Sequence, residues 1–397
     1  MLMTWCGDEE ERRGTAMTGL LDRFKTKAGG SMILLALLLC IFRCASGVVL
    51  LFAAALLLWQ KEPVRPWQKA GFVYLLAVVA LIHLGRVSYP MMSQAFALYQ
   101  STPDLLIWIK AGNVHAPRLL VSYPGVLLSY VCSVPLDTGM SLFTALLFWF
   151  TYTNMGYAVE EVEGDLPGRS WLPVLLLFPM LVLTLIMNGR LVFAMCGYSL
   201  ALVTVLRVKH MPDFRLSGLL PLAVAVLLCA VSTGTMLVCI VTSGLLLLSL
   251  CGKELSKKPL LLVCLAAALL LMLPYIGRMI AKLFAFFGPG LNGILGILQH
   301  GAGGVLLRLF ASPAAWVLLA IGSGAILLGM TVVLWFLFSP RSRGSRYYAL
   351  GAGIMISCAC FPVGLSTGLM FIVPMMIFCC AVAGELFLRV PGRVTIP

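Results

Sequence analysis

The sequence predicts an all-α fold: a polytopic integral membrane protein of about twelve transmembrane helices, with a long outer loop bearing amphipathic helices. Three observations carry this expectation. Of 397 residues, 61% are hydrophobic and 11% charged, with a mean hydropathy of +1.02, whereas soluble domains carry roughly 25% charged residues. The apolar residues stand in long blocks and not with a strand or heptad period. The basic residues gather in short segments between the blocks, as positive-inside sorting produces. Because lipid offers backbone amides no partner, the blocks must be helices.

A crossing needs about 20 mostly apolar residues. The first block, Met32–Trp59, is interrupted by Arg43, which must face the bundle interior or mark a break. Basic clusters lie on both sides of it: Arg23, Lys25 and Lys27 before, Lys61, Arg65 and Lys69 after. One crossing cannot leave both clusters inside. Either the block is a re-entrant hairpin or the charge bias is broken at one loop, and the side faced by Arg86–His115 stays open. Ala70–Leu84 follows, then Pro117–Val134 and Gly139–Ala158 joined by a short turn. Glu160, Glu161, Glu163 and Asp165 read as a solvated linker before Trp171–Met187 and Leu191–Leu206.

Leu216–Val231 and Thr235–Cys251 flank the turn Ser232–Gly234, and Pro259–Tyr275 precedes the outer loop 276–312. Ala314–Phe338, Tyr347–Phe361 and Ser366–Leu386 complete the spans. Pro124, Pro221 and Pro374 fall inside blocks, where neighbouring helices shield a kink. Residues 1–31 read as a cytoplasmic lead-in without a cleavable signal peptide, 32–388 as the membrane domain and 389–397 as a cytoplasmic tail. Arg207, Lys209 and Arg215, then Lys253, Lys257 and Lys258, then Arg341, Arg343 and Arg346, and finally Arg389 and Arg393 all fall inside on this count. Glu385 stands one helical turn before Arg389, at pairing distance.

The net charge of +13 therefore reflects membrane sorting and not nucleic-acid binding. No phosphate-binding glycine loop points to an ATP-driven pump. Most of the 13 cysteines sit within apolar blocks as small packing residues, and four histidines give no zinc spacing. No metal and no cofactor is expected. Carboxylates near the spans are few, which argues against a proton-coupled transporter.

The loop 276–312 carries Arg278, Lys282, His300 and Arg308 among apolar patches and Gly-Pro-Gly at Gly288–Gly290, with no acidic residue. Cations and apolar faces together suit an anionic, lipid-linked ligand; equally, such cations snorkel to headgroups. Arg190, in the turn Asn188-Gly189-Arg190, offers the same two readings. A third cluster runs from Arg86 through Tyr89, Tyr99, Asp104, Lys110 and His115 to Arg118. Asp104 is its one carboxylate, an acid–base candidate or the N-cap of a helix starting at Leu105.

Asn188-Gly189-Arg190 opening a span, then Ala194, Ser199-Leu200, the basic loop Arg207–Arg215 and the polar turn Ser232-Thr233-Gly234, form a recognisable order. Tyr89 and Tyr99 stand in the loop after the second block, before the short apolar segment Leu105–Ile109, and Pro374 lies within a late span. This arrangement resembles EpsG-like and Wzy-type polysaccharide (O-antigen) polymerases over residues 70–250 and 345–388. Of the family motifs, Asn188 and Arg190 carry over. The early Asp-Tyr is missing, Ser232-Thr233 stands where a His precedes a Ser, and Ser366-Thr367-Gly368 replaces a late Arg-x-x-Tyr.

The resemblance implies a glycosyltransferase of the bacterial inner (cytoplasmic) membrane, joining repeat units carried on undecaprenyl diphosphate at the outer face. Its partners would be that polyprenyl-diphosphate-linked glycan, membrane lipid, and a chain-length regulator or flippase of the same pathway. Arg190, with Asn188, Arg278, Lys282, Arg308 and Arg86, would hold the diphosphate, and His300 or Asp104 would serve as base. A flippase of the same lipid-linked oligosaccharide, or a ligase, is the alternative; the two halves of the chain show no convincing repeat, which favours the polymerase.

Overall fold

The computed structural model describes residues 44–60, 63–85, 104–111, 116–163, 189–208, 219–231, 290–298 and 315–338, with isolated positions between 236 and 288 and between 351 and 375. Among these residues the secondary structure is α-helical, without strands. In chain order the helices are α1 (Ala45–Trp59), α2 (Pro66–His83), α3 (Leu105–Lys110), α4 (Ala116–Cys132), α5 (Leu136–Glu163), α6 (Gly189–Val208), α7 (Leu219–Cys229), α8 (Gly290–Leu298) and α9 (Ala315–Phe338). The chain divides into two compact units, Met1–Tyr89 with Tyr123–Trp149, and Pro90–Ser122 with Phe150–Pro397.

In the first unit α1 and α2 pair as an antiparallel hairpin. Gln60 and Gln68 exchange amide hydrogen bonds of 3.1 and 2.9 Å near the turn. The Gln68 carbonyl oxygen also accepts the Arg65 backbone N–H at 2.8 Å. One buried side chain thus fixes the start of α2 and ties it to the end of α1. At the far end, Cys44 meets His83. Among the described residues of the first block one helix starts at Ala45; residues 32–43, with Arg43, lie outside them. At 1.5 Å per residue, α1 is about 22 Å long, short of an average hydrocarbon core.

The turn between α4 and α5 follows a defined C-cap geometry. Ser133 takes a left-handed φ of 53°, the Val134 N–H reaches back to the Ser129 carbonyl at 3.1 Å, and the Ser133 N–H to Tyr130 at 3.3 Å. Ser129 Oγ closes the turn by donating to the Val134 carbonyl at 2.6 Å. Backbones meet closely here: a Cβ on Gly139 would lie 2.6 Å from the Gly125 carbonyl oxygen and 2.8 Å from the Ser129 Cβ. Pro124 lies inside α4 without ending it.

The second unit is built around α6, buried from Val192 through Ser199 and from Ala201 through Leu206, with Phe193 and Tyr198 fully enclosed. A helix apolar on all sides is a core helix. α7 runs antiparallel to it: a Cβ on Gly197 would lie 2.5 Å from the Ala225 carbonyl oxygen, and Cys229 Sγ donates to the Ala194 carbonyl at 3.4 Å. Pro221 occupies the first turn of α7, where no N–H is missed, and so makes no kink.

The C-terminal half of α5 runs parallel to α6. Asn154 faces Ser199 and Glu161 faces Arg207, so both helices advance together. α5 also continues past the predicted block. Glu160, Glu161 and Glu163 form its last turn and not a linker, because glutamate is a good helix former and Arg207 offsets acidic charge at a helix C-terminus.

Among the described residues one helix, Pro66–His83, is long and apolar enough to cross a membrane, and Ala45–Trp59, Val192–Arg207, Leu220–Cys229 and Leu327–Phe338 are shorter apolar helices. The twelve-span count therefore goes beyond what these residues contain. Trp171–Met187 and Ser366–Leu386, the latter except for Met375, lie outside them, and Thr235–Cys251, Pro259–Tyr275 and Tyr347–Phe361 are represented by isolated helical positions.

Two stability outcomes follow from the packing. Gly197→Val should lower the melting temperature of the purified protein in detergent, at a cost of about 1–3 kcal/mol, because the neighbour is a backbone carbonyl that cannot move aside. Gly329→Ala, facing the flexible Met375 side chain, should cost less. Ser133→Gly should raise the melting temperature, relieving up to about 1 kcal/mol of left-handed strain.

Candidate functional site

The Asn188-Gly189-Arg190 element opens the core helix of the second unit. α6 starts at Gly189, which puts Arg190 in its first turn; Asn188 falls just outside the described residues. The N-terminus of an α-helix carries unpaired N–H groups and partial positive charge, and favours anions. Arg190 and Arg207 stand about 25 Å apart along α6 at 1.5 Å per residue. The segment between them, Leu191–Leu206, has no charged residue.

A polar seam runs beside α6 on its α5 side. Asn154 Nδ2 donates to Ser199 Oγ at 3.2 Å, and that hydroxyl donates to the Cys196 carbonyl at 2.9 Å. Thr151 and Cys196 share a hydrogen bond one turn earlier. At the far end the Arg207 guanidinium lies over the Tyr157 ring, 4.9 Å from its centroid, and 3.4 Å from Glu161. Ring and carboxylate together hold the cation against the end of the seam. Being partly exposed, the ion pair contributes orientation more than stability.

Of the other predicted residues, Asp104 is described and exposed. Its carboxylate accepts the Leu106 backbone N–H at 2.8 Å, as the N-cap of α3. The capping alternative is thus the geometry that Asp104 adopts here. Arg118, grouped with it by sequence, lies in α4 and donates from Nε to the Val231 carbonyl at 2.9 Å, just past α7. A cation suits that position, where carbonyls lack intrahelical partners. Arg86, Arg278, Lys282, His300 and Arg308 lie outside the described residues, so the proposed cationic cluster of loop and turn is not drawn together by what is described. In the same loop, α8 begins at Gly290 just after Gly288, and the positive φ angles of 89° at Gly288 and 73° at Gly290 suit glycine. Leu291 and Leu295 on it are exposed.

Three features escaped the sequence reading: Asn154, the anchored position of Arg207, and the Cys44–His83 pair. The first left a trace, since Thr151-Tyr152-Thr153-Asn154 is a polar run inside an apolar block. Among the described residues no group of three or more His, Cys, Asp or Glu side chains is arranged to hold a metal.

The capping role of Asp104 yields a discriminating outcome. Asp104→Ala should cost about 1 kcal/mol of local helix stability, read as faster amide exchange at residues 106–110, whereas Asp104→Asn keeps an acceptor and should leave exchange nearly unchanged. Loss of activity in Asp104→Asn with exchange unchanged would assign the carboxylate a chemical role beyond the cap. No protein-family model, curated protein or solved structure matches the chain.

Proposed function

We propose that this chain is a polytopic membrane glycosyltransferase that extends a glycan carried on a polyprenyl diphosphate, with the start of α6 at the diphosphate. Membrane embedding is supported by helices that are apolar on their exposed faces. On α1, Val48, Phe52, Leu56 and Trp59 are exposed and lie on one stripe, while Val49, Leu50, Ala53 and Leu57 are buried on the other. In α9, 24 residues long and without a charged side chain, Leu327 and Leu328 are 69% and 68% exposed. Water would disfavour such surfaces; hydrocarbon would not.

The parallel course of α5 and α6 supports a polytopic path. The end of α5 and the start of α6 lie roughly 25 Å apart along the pair axis, by the rise per residue. The predicted span Trp171–Met187 falls between them in sequence and would supply the return crossing. Glu161 and Arg207 would then lie at the cytoplasmic end, with the basic residues Lys209 and Arg215, and Arg190 at the outer rim.

The observation that carries the site reading is the place of Arg190: the first turn of a helix whose body is buried. An arginine beside free helix N–H groups is suited to a diphosphate, and its charge stabilises the negative charge that develops as that group departs. Asn188 and the loop cations Arg278, Lys282 and Arg308 would add donors, and His300 would take the proton from the acceptor hydroxyl. Neither a metal nor a nucleotide enters this scheme.

The test is chain extension by the full chain in proteoliposomes supplied with a polyprenyl-diphosphate oligosaccharide. Arg190→Ala should slow extension by about 100-fold or more, and Arg190→Lys by less. Extension by Arg190→Ala equal to wild type, at equal protein level, would remove the assignment. Movement of the lipid-linked oligosaccharide across the bilayer without extension would identify a flippase instead.

A further inference from the structure

The first unit holds a thiol and an imidazole that the glycan-transfer scheme does not use. Cys44 precedes α1 and His83 ends α2, and the hairpin brings Cys44 Sγ to 3.5 Å from His83 Nδ1, on the accessible side of the pair. Both are reachable: Cys44 is half-buried and a free thiol, and His83 is exposed. A nucleophile and a base within proton-transfer reach, contributed by residues 39 positions apart, form the core of an acyl-transfer site. The surroundings are apolar and open. Val48 and Phe52 continue from Cys44 along an exposed stripe of α1, and Leu81 and Leu84 flank His83, with Leu84 68% exposed.

We propose that Cys44 is an acceptor for a long-chain acyl group, with His83 as its base and the exposed stripe of α1 as the bed of the chain. In the step, His83 Nδ1 takes the thiol proton as Cys44 Sγ attacks the acyl carbonyl carbon. The new bond is a C–S thioester. The bond that breaks joins that carbon to the donor's oxygen or sulfur, and the proton returns from His83 to the leaving alkoxide or thiolate. No electrons are exchanged with an outside oxidant or reductant. The acyl donor is either the oxygen ester of a glycerophospholipid, whose glycerol alkoxide leaves and takes the proton, or a soluble acyl thioester, whose thiolate does. Val48 and Phe52, one and two turns beyond Cys44, present the surface that makes a long chain fit better than a short acyl group.

The full chain is placed in phosphatidylcholine vesicles whose lipid carries labelled acyl chains, in one arm alone and in the other with a labelled long-chain acyl-coenzyme A. Thioester at Cys44 is read by mass spectrometry with and without hydroxylamine. Label in the first arm identifies the phospholipid as donor; label only in the second identifies the thioester; either supports the proposal. His83→Ala should slow labelling by about 100-fold, and added imidazole should restore part of the rate. Cys44→Ser and Cys44→Ala should abolish the hydroxylamine-labile adduct, with melting temperatures checking that both fold. The proposal fails if Cys44 carries no thioester in either arm while it still reacts with a maleimide. It fails equally if His83→Ala labels at the wild-type rate.

Discussion

Close approach of helix backbones is the constraint on which the described packing depends. At Gly197 the α6 backbone lies so near α7 that a single Cβ would strike the Ala225 carbonyl and crowd Cys229 and Leu228. At Gly139 the α5 backbone meets Gly125 and Ser129 of α4 in the same manner. Dispersion contacts and interhelical hydrogen bonds both require such short distances, and in the proposed membrane setting, where hiding apolar side chains gains little, they would hold the helices together. Small residues supply those distances. The Cys229 thiol reaching the Ala194 carbonyl and the Asn154 amide reaching Ser199 are bonds that only closely packed helices can make.

The interior polar groups follow from the same constraint. Ser122, Thr144 and Thr204 are buried, and each hydroxyl donates to a backbone carbonyl of its own helix three or four residues back. Such back-bonding lets a hydroxyl enter an apolar interior without losing a hydrogen bond. The part-buried Gln60–Gln68 exchange extends this satisfaction across two helices, and it fixes the α1–α2 turn as well. These polar groups lie within a described interior that is mainly apolar, while Val48, Phe52, Leu327 and Leu328 are exposed.

The all-helical class was legible because blockwise hydrophobicity is a property of the whole composition, while the twelve-span count goes beyond the one described helix long and apolar enough to cross; helix positions were legible where blocks have sharp ends. Ala314–Phe338 became Ala315–Phe338, and Leu191–Leu206 became Gly189–Val208. Boundaries failed where polar residues are good helix formers. Gln68 and Lys69 belong to α2 although the apolar run starts at Ala70, and Glu160–Glu163 belong to α5. The site was less legible, since a turn motif such as Asn188-Gly189-Arg190 states which chemistry is present but not which distant groups meet it. Asp104 shows the ambiguity in one residue: the same side chain serves an acid–base reading and an N-cap, and a 2.8 Å bond to Leu106 distinguishes them only in three dimensions. In sequence Cys44 is one of the cysteines within apolar blocks and His83 one of four histidines without metal spacing; the α1–α2 hairpin makes them a pair.

The helix directions also constrain how charge can be sorted. The closed end of the α1–α2 hairpin carries Arg65 and, in sequence, Lys61 and Lys69, whereas its open end carries Cys44 and His83, flanked in sequence by Arg43 and Arg86. In the proposed membrane setting, positive-inside sorting would weigh these two ends against each other, three cations against two. α6 presents the opposite situation, with a cation at each end and none between. Charge bias alone then leaves its direction undecided. The decision passes to its neighbours: Arg207 has Tyr157 and Glu161 to hold it, along with a basic loop that follows, and Arg190 stands on an N-terminus that already repels cations and attracts anions. Under the proposed function, a cation at that end would cost insertion energy that the bound diphosphate would offset, and the place of Arg190 would follow from the ligand and not from sorting.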